Sequence, residues 1–184
     1  MAAADGCTVS FERLISPIES RMLSVAAGLA SSPEEADDIF QEAMINAYKA
    51  LPKFRSESRF TTWLYRIVVN AAMDHRRKLK SQFKYFVSNS IPKGSESTYE
   101  QEYELYSTGE TNETEMQNEQ LSKAINSALK ELSETEKIAF VLCHQQGLKM
   151  TEAAGIMQCS EGAIKNFLFR ARAKMREQLK EFIG

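Results

Sequence analysis

Between Phe54 and Leu79 the sequence FRSESRFTTWLYRIVVNAAMDHRRKL concentrates side chains suited to binding rather than to bond-breaking. Arg55 and Arg59 sit in a short polar run. Arg66, Asn70, Asp74 and Arg77 then recur at three- and four-residue steps, which puts them on one side of a helix. The segment closes on Arg76, Arg77 and Lys78. Guanidinium and amide groups held on a stiff helix form charge-assisted hydrogen bonds to planar or tetrahedral anions. The chemistry this implies is the gripping of a polyanion.

A second such group lies near the C-terminus. Lys165 and Asn166 fall early in a helical stretch, where base-edge donors and acceptors are needed, and Arg170, Arg172 and Lys174 follow at positions suited to phosphates. Alone, this pattern fits a solvated amphipathic helix better than a reader of DNA. No catalytic constellation accompanies either group. The sequence holds no glycine-rich phosphate loop, no H-E-x-x-H and no nucleophile beside a base. Asp37 and Asp38 are adjacent on a helix and point about 100° apart, poor geometry for paired acid–base work. Cys143-His144 and His75 lack a second ligand pair at metal-binding spacing. We therefore expect no catalytic residue, no metal and no cofactor.

The elements that must position these groups read as helices throughout. Phe60, Trp63, Leu64, Ile67, Val68 and Ala71 form the apolar stripe of a helix over 57–80. Upstream, Phe11, Leu14, Ile15, Ile18, Met22, Val25, Ala26 and Leu29 mark a helix over 9–30 that begins or kinks at Pro17. Ser32-Pro33-Glu34-Glu35 is a helix start with a capping-box spacing. From it a helix runs to about Leu51, with Ala36, Ile39, Phe40, Ala43, Met44, Ala47 and Leu51 inward. Asp37, Asp38, Gln41, Glu42, Ile45, Asn46 and Lys49 point elsewhere. Ile45, an aliphatic amid acids and amides, fits either a partner contact or a lone exposed side chain.

From Ser81 to Asn118 the periodicity fails and Ser, Asn, Gly and Glu dominate, so a flexible acidic linker is expected. Leu121, Ala124, Ile125, Ala128, Leu129 and Leu132 then open a second helical unit. Ser133 and Glu136 make another capping box, and Gly147 ends the helix that follows. A short helix, Thr151 to Met157, a turn at Gln158-Cys159-Ser160, and a long helix from Glu161 to about Phe182 give a helix-turn-helix arrangement. Ile164, Leu168, Ala171, Met175, Leu179 and Phe182 are its seam. The expected fold is all-α: two small helical domains, 1–80 and 119–184, joined by the linker 81–118.

Bulk properties are ordinary for a globular chain of 184 residues, 43% hydrophobic and 26% charged. The net charge of −2 conceals segregation. Nine lysines and arginines between Lys53 and Lys84 face only Glu57 and Asp74, while eight glutamates from Glu96 to Glu119 have no basic residue among them. Binding follows that local field rather than the sum, and the polyanion is read as DNA. No apolar run approaches the ~20 residues of a membrane span, and no secretory signal is visible. Three widely spaced cysteines, Cys7, Cys143 and Cys159, argue for a reducing, cytoplasmic compartment without membrane insertion.

Both halves together resemble a known family. EEADDIFQEAMINAYKALPKF followed by TTWLYRIVVNAAMDHRRK resembles region 2 of the extracytoplasmic-function (ECF) sigma factors of bacterial RNA polymerase, and LSETEKIAFVLCHQQGLKMTEAAGIMQCSEGAIKNFLFRARAKM resembles their region 4. The wording around TWLYRIVVN is similar to the RpoE-like subgroup. The resemblance implies a sigma subunit that is not an enzyme and that directs promoter recognition, strand opening and transcription initiation. Its partners would be core RNA polymerase, promoter DNA and an anti-sigma factor. It implies that Asp38, Ile39, Gln41, Glu42, Ile45, Asn46 and Lys49 meet the clamp helices of the largest polymerase subunit. It assigns Arg55, Ser58, Arg59, Phe60, Trp63, Arg66, Asn70, Arg76 and Arg77 to the −10 element, where an extruded base enters a pocket and cations track the single strand. It assigns Ser160, Glu161, Gly162, Lys165, Asn166, Phe167, Phe169, Arg170 and Arg172 to the −35 duplex. Three positions depart from the family pattern: Phe167 stands where Arg is usual, Gln158 replaces a turn glycine, and Ala153 a larger aliphatic. Other classes the sequence admits are a stand-alone helix-turn-helix regulator, which has no use for the Trp63 helix, and a small RNA-binding adaptor.

Overall fold

The computed structural model describes residues 8–90, 124–125 and 127–180. Among these every element is helical and no strand occurs. The chain divides into two compact units between residues 100 and 101.

In the first unit, α1 (Thr8–Ile15) and α2 (Glu19–Leu29) are separated by a 3₁₀ turn, Ser16–Ile18. Pro17 forces that break, because it supplies no N–H to an α-helical bond; of the two expectations, the kink is what the chain adopts. Leu14, expected inward, is instead exposed at 43%. The turn shifts the face presented by α1 relative to α2, and among its described side chains Phe11 and Ile15 carry α1 into the core.

Helix α3 (Pro33–Ala50) begins at Ser32, whose hydroxyl accepts from the Glu35 N–H at 3.2 Å. The Glu35 carboxylate accepts from the Ser31 N–H rather than from that of Ser32, one residue outside the expected capping box. Ala36, Ile39, Ala43 and Ala47 are buried against α2 and α4, while Phe40 and Met44 are only half-buried. The small alanines allow close approach of the helix axes.

Helix α4 (Phe60–Ser90) starts three residues later than expected and runs ten residues further than the apolar pattern. Its first bond is Trp63 N–H to the Arg59 carbonyl, at 3.1 Å. Beyond residue 80 the backbone stays helical, as residues such as Lys and Gln sustain helix at little cost. Residues 91–118 of the expected linker lie outside the described residues. Leu64, Val68 and Ala71 are buried as the stripe requires, but so are Tyr65, Val69 and Ala72. α4 packs on both α2 and α3, so it buries a wider arc than one amphipathic stripe.

The second unit builds on α8 (Glu161–Gln178). Ala171 and Met175 pack with Ala128, Leu129 and Leu132 around α5 (helical residues 127–130). Leu121 and Phe182, both expected in this seam, lie outside the described residues. The Ser133 capping box is complete: its hydroxyl accepts from Glu136 N–H at 3.4 Å and Glu136 carboxylate from Ser133 N–H at 3.0 Å. α6 (Glu134–Phe140) passes into a π-helical turn, Val141–Gln145, which ends where Gly147 takes φ +67°. α7 (Met150–Met157) then leads through Gln158, at φ +52°, into α8, which Ser160 caps by accepting from Ala163 N–H at 3.2 Å.

Candidate functional site

On α3, the side chains of Asp38, Gln41, Ile45, Asn46 and Lys49 are exposed and share one side of the helix with the half-buried Glu42. Ile45 is 54% exposed, which an aliphatic on a folded core tolerates only as a small local cost. Ile39 is 1% exposed and belongs to the core. Its place in the contact surface is corrected: it can position that face but cannot touch a partner.

The loop before α4 is held by aromatic packing. The rings of Phe54, Phe60 and Trp63 lie within 5.9 Å of one another centre to centre (Phe54–Trp63 5.0 Å, Phe60–Trp63 5.4 Å). Between them Ser56 takes φ +57° and Arg55 and Arg59 are exposed, with Ser58 half-buried. Phe60 and Trp63 are thus half-buried clasps of the loop as well as candidate contacts. Asn70 and Arg77 are exposed on α4 and Arg66 is half-buried.

The basic end of α4 is less naked than its sequence. A terminal nitrogen of Arg76 donates to the Leu29 carbonyl at 3.2 Å, closing the C-terminus of α2. This engages one terminal nitrogen of the half-buried Arg76 with the protein. Arg77 pairs with Asp74 at 3.0 Å, and Lys78 reaches across to Glu42 on α3 at 2.7 Å. His75 lies 4.0 Å from Glu35. None of these long-range partners has a signature in local spacing, so the sequence offered no way to find them.

On α8, Glu161, Gly162, Lys165, Asn166, Phe169, Arg170 and Arg172 are exposed, Phe169 at 74%. Ser160, exposed, is occupied as the cap. Phe167 is half-buried beside the seam. Lys174 is directed elsewhere: its ammonium donates to Glu136 at 2.9 Å and to the Glu131 carbonyl at 3.0 Å, tying α8 to the corner before α6. Burial works against ionisation of Glu136, yet the Lys174 and Ser133 donors outweigh it and hold the carboxyl below its ordinary range. Arg172 Nε donates to His144 Nε2 at 3.1 Å. Burial, with Arg172 adding to it, pushes the His144 pKa down; burial pushes the Cys143 thiol up. Among the described residues no three His, Cys, Asp or Glu side chains converge as metal ligands, and no helix is long and apolar enough to cross a membrane.

Residues 14–82 match the family model for sigma-70 region 2, and residues 122–175 that for sigma-70 region 4. The ECF RNA polymerase sigma-E factor of Haemophilus influenzae is 31% identical over 87% of this chain and 84% of its own length. The sigma-E factor of Escherichia coli is 30% identical over 95% of this chain and 88% of its own. The RNA polymerase sigma-H factor of Pseudomonas aeruginosa is 28% identical over the same shares. Among solved structures, the sigma factor RpoE bound to the anti-sigma factor NepR from Bartonella quintana shares the fold at a TM-score of 0.69 and 23% identity, covering 93% of this chain and 97% of that one. CnrH bound to the cytosolic domain of CnrY does so at 0.67 and 22%, covering 98% and 94%.

Proposed function

The chain belongs to the sigma-70 family of RNA polymerase sigma factors, in its extracytoplasmic-function branch, and on that premise we propose how its surfaces divide the work of initiation. The outward face of α3 (Asp38, Gln41, Glu42, Ile45, Asn46 and Lys49) docks on core RNA polymerase at the clamp helices. The Arg55–Phe60 loop receives an extruded base of the −10 element. The exposed Asn70 and Arg77, with the half-buried Arg66 beside them, hold the opened non-template strand, since cations and amides on a rigid helix track a single-strand backbone. The exposed side of α8, with Lys165, Asn166, Phe169, Arg170 and Arg172, enters the −35 major groove. Phe167 is half-buried and donates nothing, so a contact made by arginine at that position is absent and α8 leans on its neighbours.

Sigma factors are not enzymes in general; this chain lends specificity and strand opening to the polymerase and acts in the cytoplasm. The RpoE structure of the same fold is a complex with the anti-sigma factor NepR, and a partner of that class is the regulator we assign here.

The observation that carries this reading is the backing of two exposed cation-and-amide faces, on α4 and α8, by separate buried seams in one chain. The test is reconstitution with core polymerase and run-off transcription from a random-promoter library. Stoichiometric binding with transcripts from one shared motif is the expected result. Tight footprints on duplex DNA without polymerase, and no transcript with it, would mean a stand-alone regulator.

A further inference from the structure

His144 lies outside the helix-turn-helix, in the π-helical turn Val141–Gln145 that precedes it. A π register carries more residues per turn than an α-helix, so it rotates the side chains that follow about the axis. Gln146 N–H donates to the Val141 carbonyl and Leu148 N–H to that of Leu142, both at 3.0 Å, which locks the widened turn in place. The imidazole packs against Phe140, ring centres 4.9 Å apart and planes tilted by 44°, and this contact limits its rotation. Its Nε2 then meets Arg172 Nε at 3.1 Å. The contact needs the neutral imidazole with its proton on Nδ1, so that Nε2 accepts. His144 is exposed at the residue level, yet partial desolvation and the adjacent guanidinium lower its pKa and favour that neutral form, while burial raises that of the neighbouring Cys143 thiol.

Arg172 is exposed and shares a side of α8 with Lys165 and Phe169, at steps of three and four residues. An exposed arginine ordinarily loses much rotamer freedom when it binds a phosphate. Here Nε is already engaged, while the two terminal nitrogens carry the remaining four donors in a fixed fork. We propose that His144 is a positioning residue for −35 duplex binding: from the turn before α7 it orients the Arg172 guanidinium so that its terminal nitrogens meet the DNA backbone preorganised. The proposal rests on the reading of α8 as the −35 helix.

The experiment uses the full chain assembled with core polymerase and a promoter duplex selected by the wild-type holoenzyme, with apparent affinity measured at neutral pH. His144→Ala is expected to weaken binding about fivefold, the equivalent of one side chain's ordering entropy. His144→Gln, whose amide oxygen can accept from Nε, should recover most of that loss although it also lacks the ring contact with Phe140. In an Arg172→Ala background, His144→Ala should add nothing. Equal binding by wild type and His144→Ala, failure of Gln to rescue, or an undiminished loss in the Arg172→Ala background each overturns the proposal. Lys165→Ala and Arg172→Ala serve as the parallel measurement. If they weaken binding while His144→Ala does not, only this inference fails. If neither weakens it, the −35 reading of α8 fails and the inference goes with it.

Discussion

The two helical units hold their charged helices in different ways. In the first, Lys78 of α4 meets Glu42 of α3 with side chains 60% and 34% exposed, and Arg77 meets Asp74 in water. In the second, Lys174 of α8 meets a Glu136 side chain that is only 6% exposed. Water screens the first kind of pair, so each is worth little and exchanges readily for a phosphate. The second kind costs desolvation and cannot be broken without stranding a charge. The lesson is that cations in exposed pairs stay exchangeable, as the proposed role of α4 needs, whereas a cation paired with a buried carboxylate has become part of the scaffold.

The largest expected effect follows from that contrast. Lys174→Met leaves the Glu136 carboxylate buried with only the Ser133 donors, and should cost the second unit about 2–3 kcal/mol; the half-exposure of Lys174 keeps it below the full value for a buried pair. Glu136→Gln should cost less, because the freed lysine regains water. Trp63 is the chain's only tryptophan and lies in the first unit. The loss should therefore move the helical circular dichroism transition in urea and leave the Trp63 fluorescence transition in place. The reverse order of the two variants would show that the pair is solvated after all.

Acid sharpens the same point. Glu136 titrates lower in the folded chain than in the unfolded one, so the unfolded chain takes up the proton first. Its stabilisation is present above the ordinary carboxylate range and is lost as pH falls below it. His144 is also depressed when folded, so the second unit begins to weaken as pH falls through the ordinary histidine range, near 6.5. Acid should shift the dichroism transition before the fluorescence transition.

Next in size is the proposed contact of α3 with the polymerase. Ile45→Glu puts a charge in place of a 54%-exposed aliphatic that is proposed to meet the partner. Loss of a central apolar contact is typically worth about 2 kcal/mol, or some thirtyfold in affinity. Helix content should not change, because nothing in the core is disturbed. A matching loss of helicity would show that Ile45 is core.

What was legible in the sequence followed local rules. Caps at Ser32 and Ser133, the break at Pro17, the stop at Gly147 and the exposure of Ile45 are all consequences of residues within a few positions of each other. The inward face of Ile39 was equally legible from its stripe; the resemblance overrode it by placing the whole surface on the partner. Arg76 on Leu29, Lys78 on Glu42 and Arg172 on His144 join residues 47, 36 and 28 positions apart, and only the packed fold brings them together. Residue type alone made all three cations candidates for DNA.

Each unit also holds one non-glycine residue in the left-handed region among the described residues: Ser56 in the Arg55–Phe60 loop and Gln158 in the helix-turn-helix. A side chain there costs roughly 1 kcal/mol over glycine, offset in part by the glycine's greater freedom when unfolded. Gln158→Gly should stabilise the second unit by about 0.5 kcal/mol, read as a rise of a few degrees in the dichroism melt. Ser56→Gly relaxes the same strain in a loop proposed to present Arg55 and Arg59, so on that proposal any gain in stability there should come with weaker −10 binding. A loss of stability in Gln158→Gly would mean that its side chain holds the turn.

The smallest effect tests the comparison most directly. Glu42→Gln removes the charge facing Lys78 while preserving size. Because the pair is exposed, the first unit should lose less than about 0.5 kcal/mol by Trp63 fluorescence in urea. Lys78 then has no anion to leave before it meets a phosphate. The full chain without polymerase should bind a single-stranded oligonucleotide about twofold more tightly, with a steeper salt dependence as the released lysine displaces counterions. A stability loss above 1 kcal/mol would make this pair as structural as Glu136–Lys174 and remove the distinction between the two units. An unchanged salt dependence would show that Lys78 never reaches the strand, and that the basic end of α4 serves to bind α3 rather than DNA.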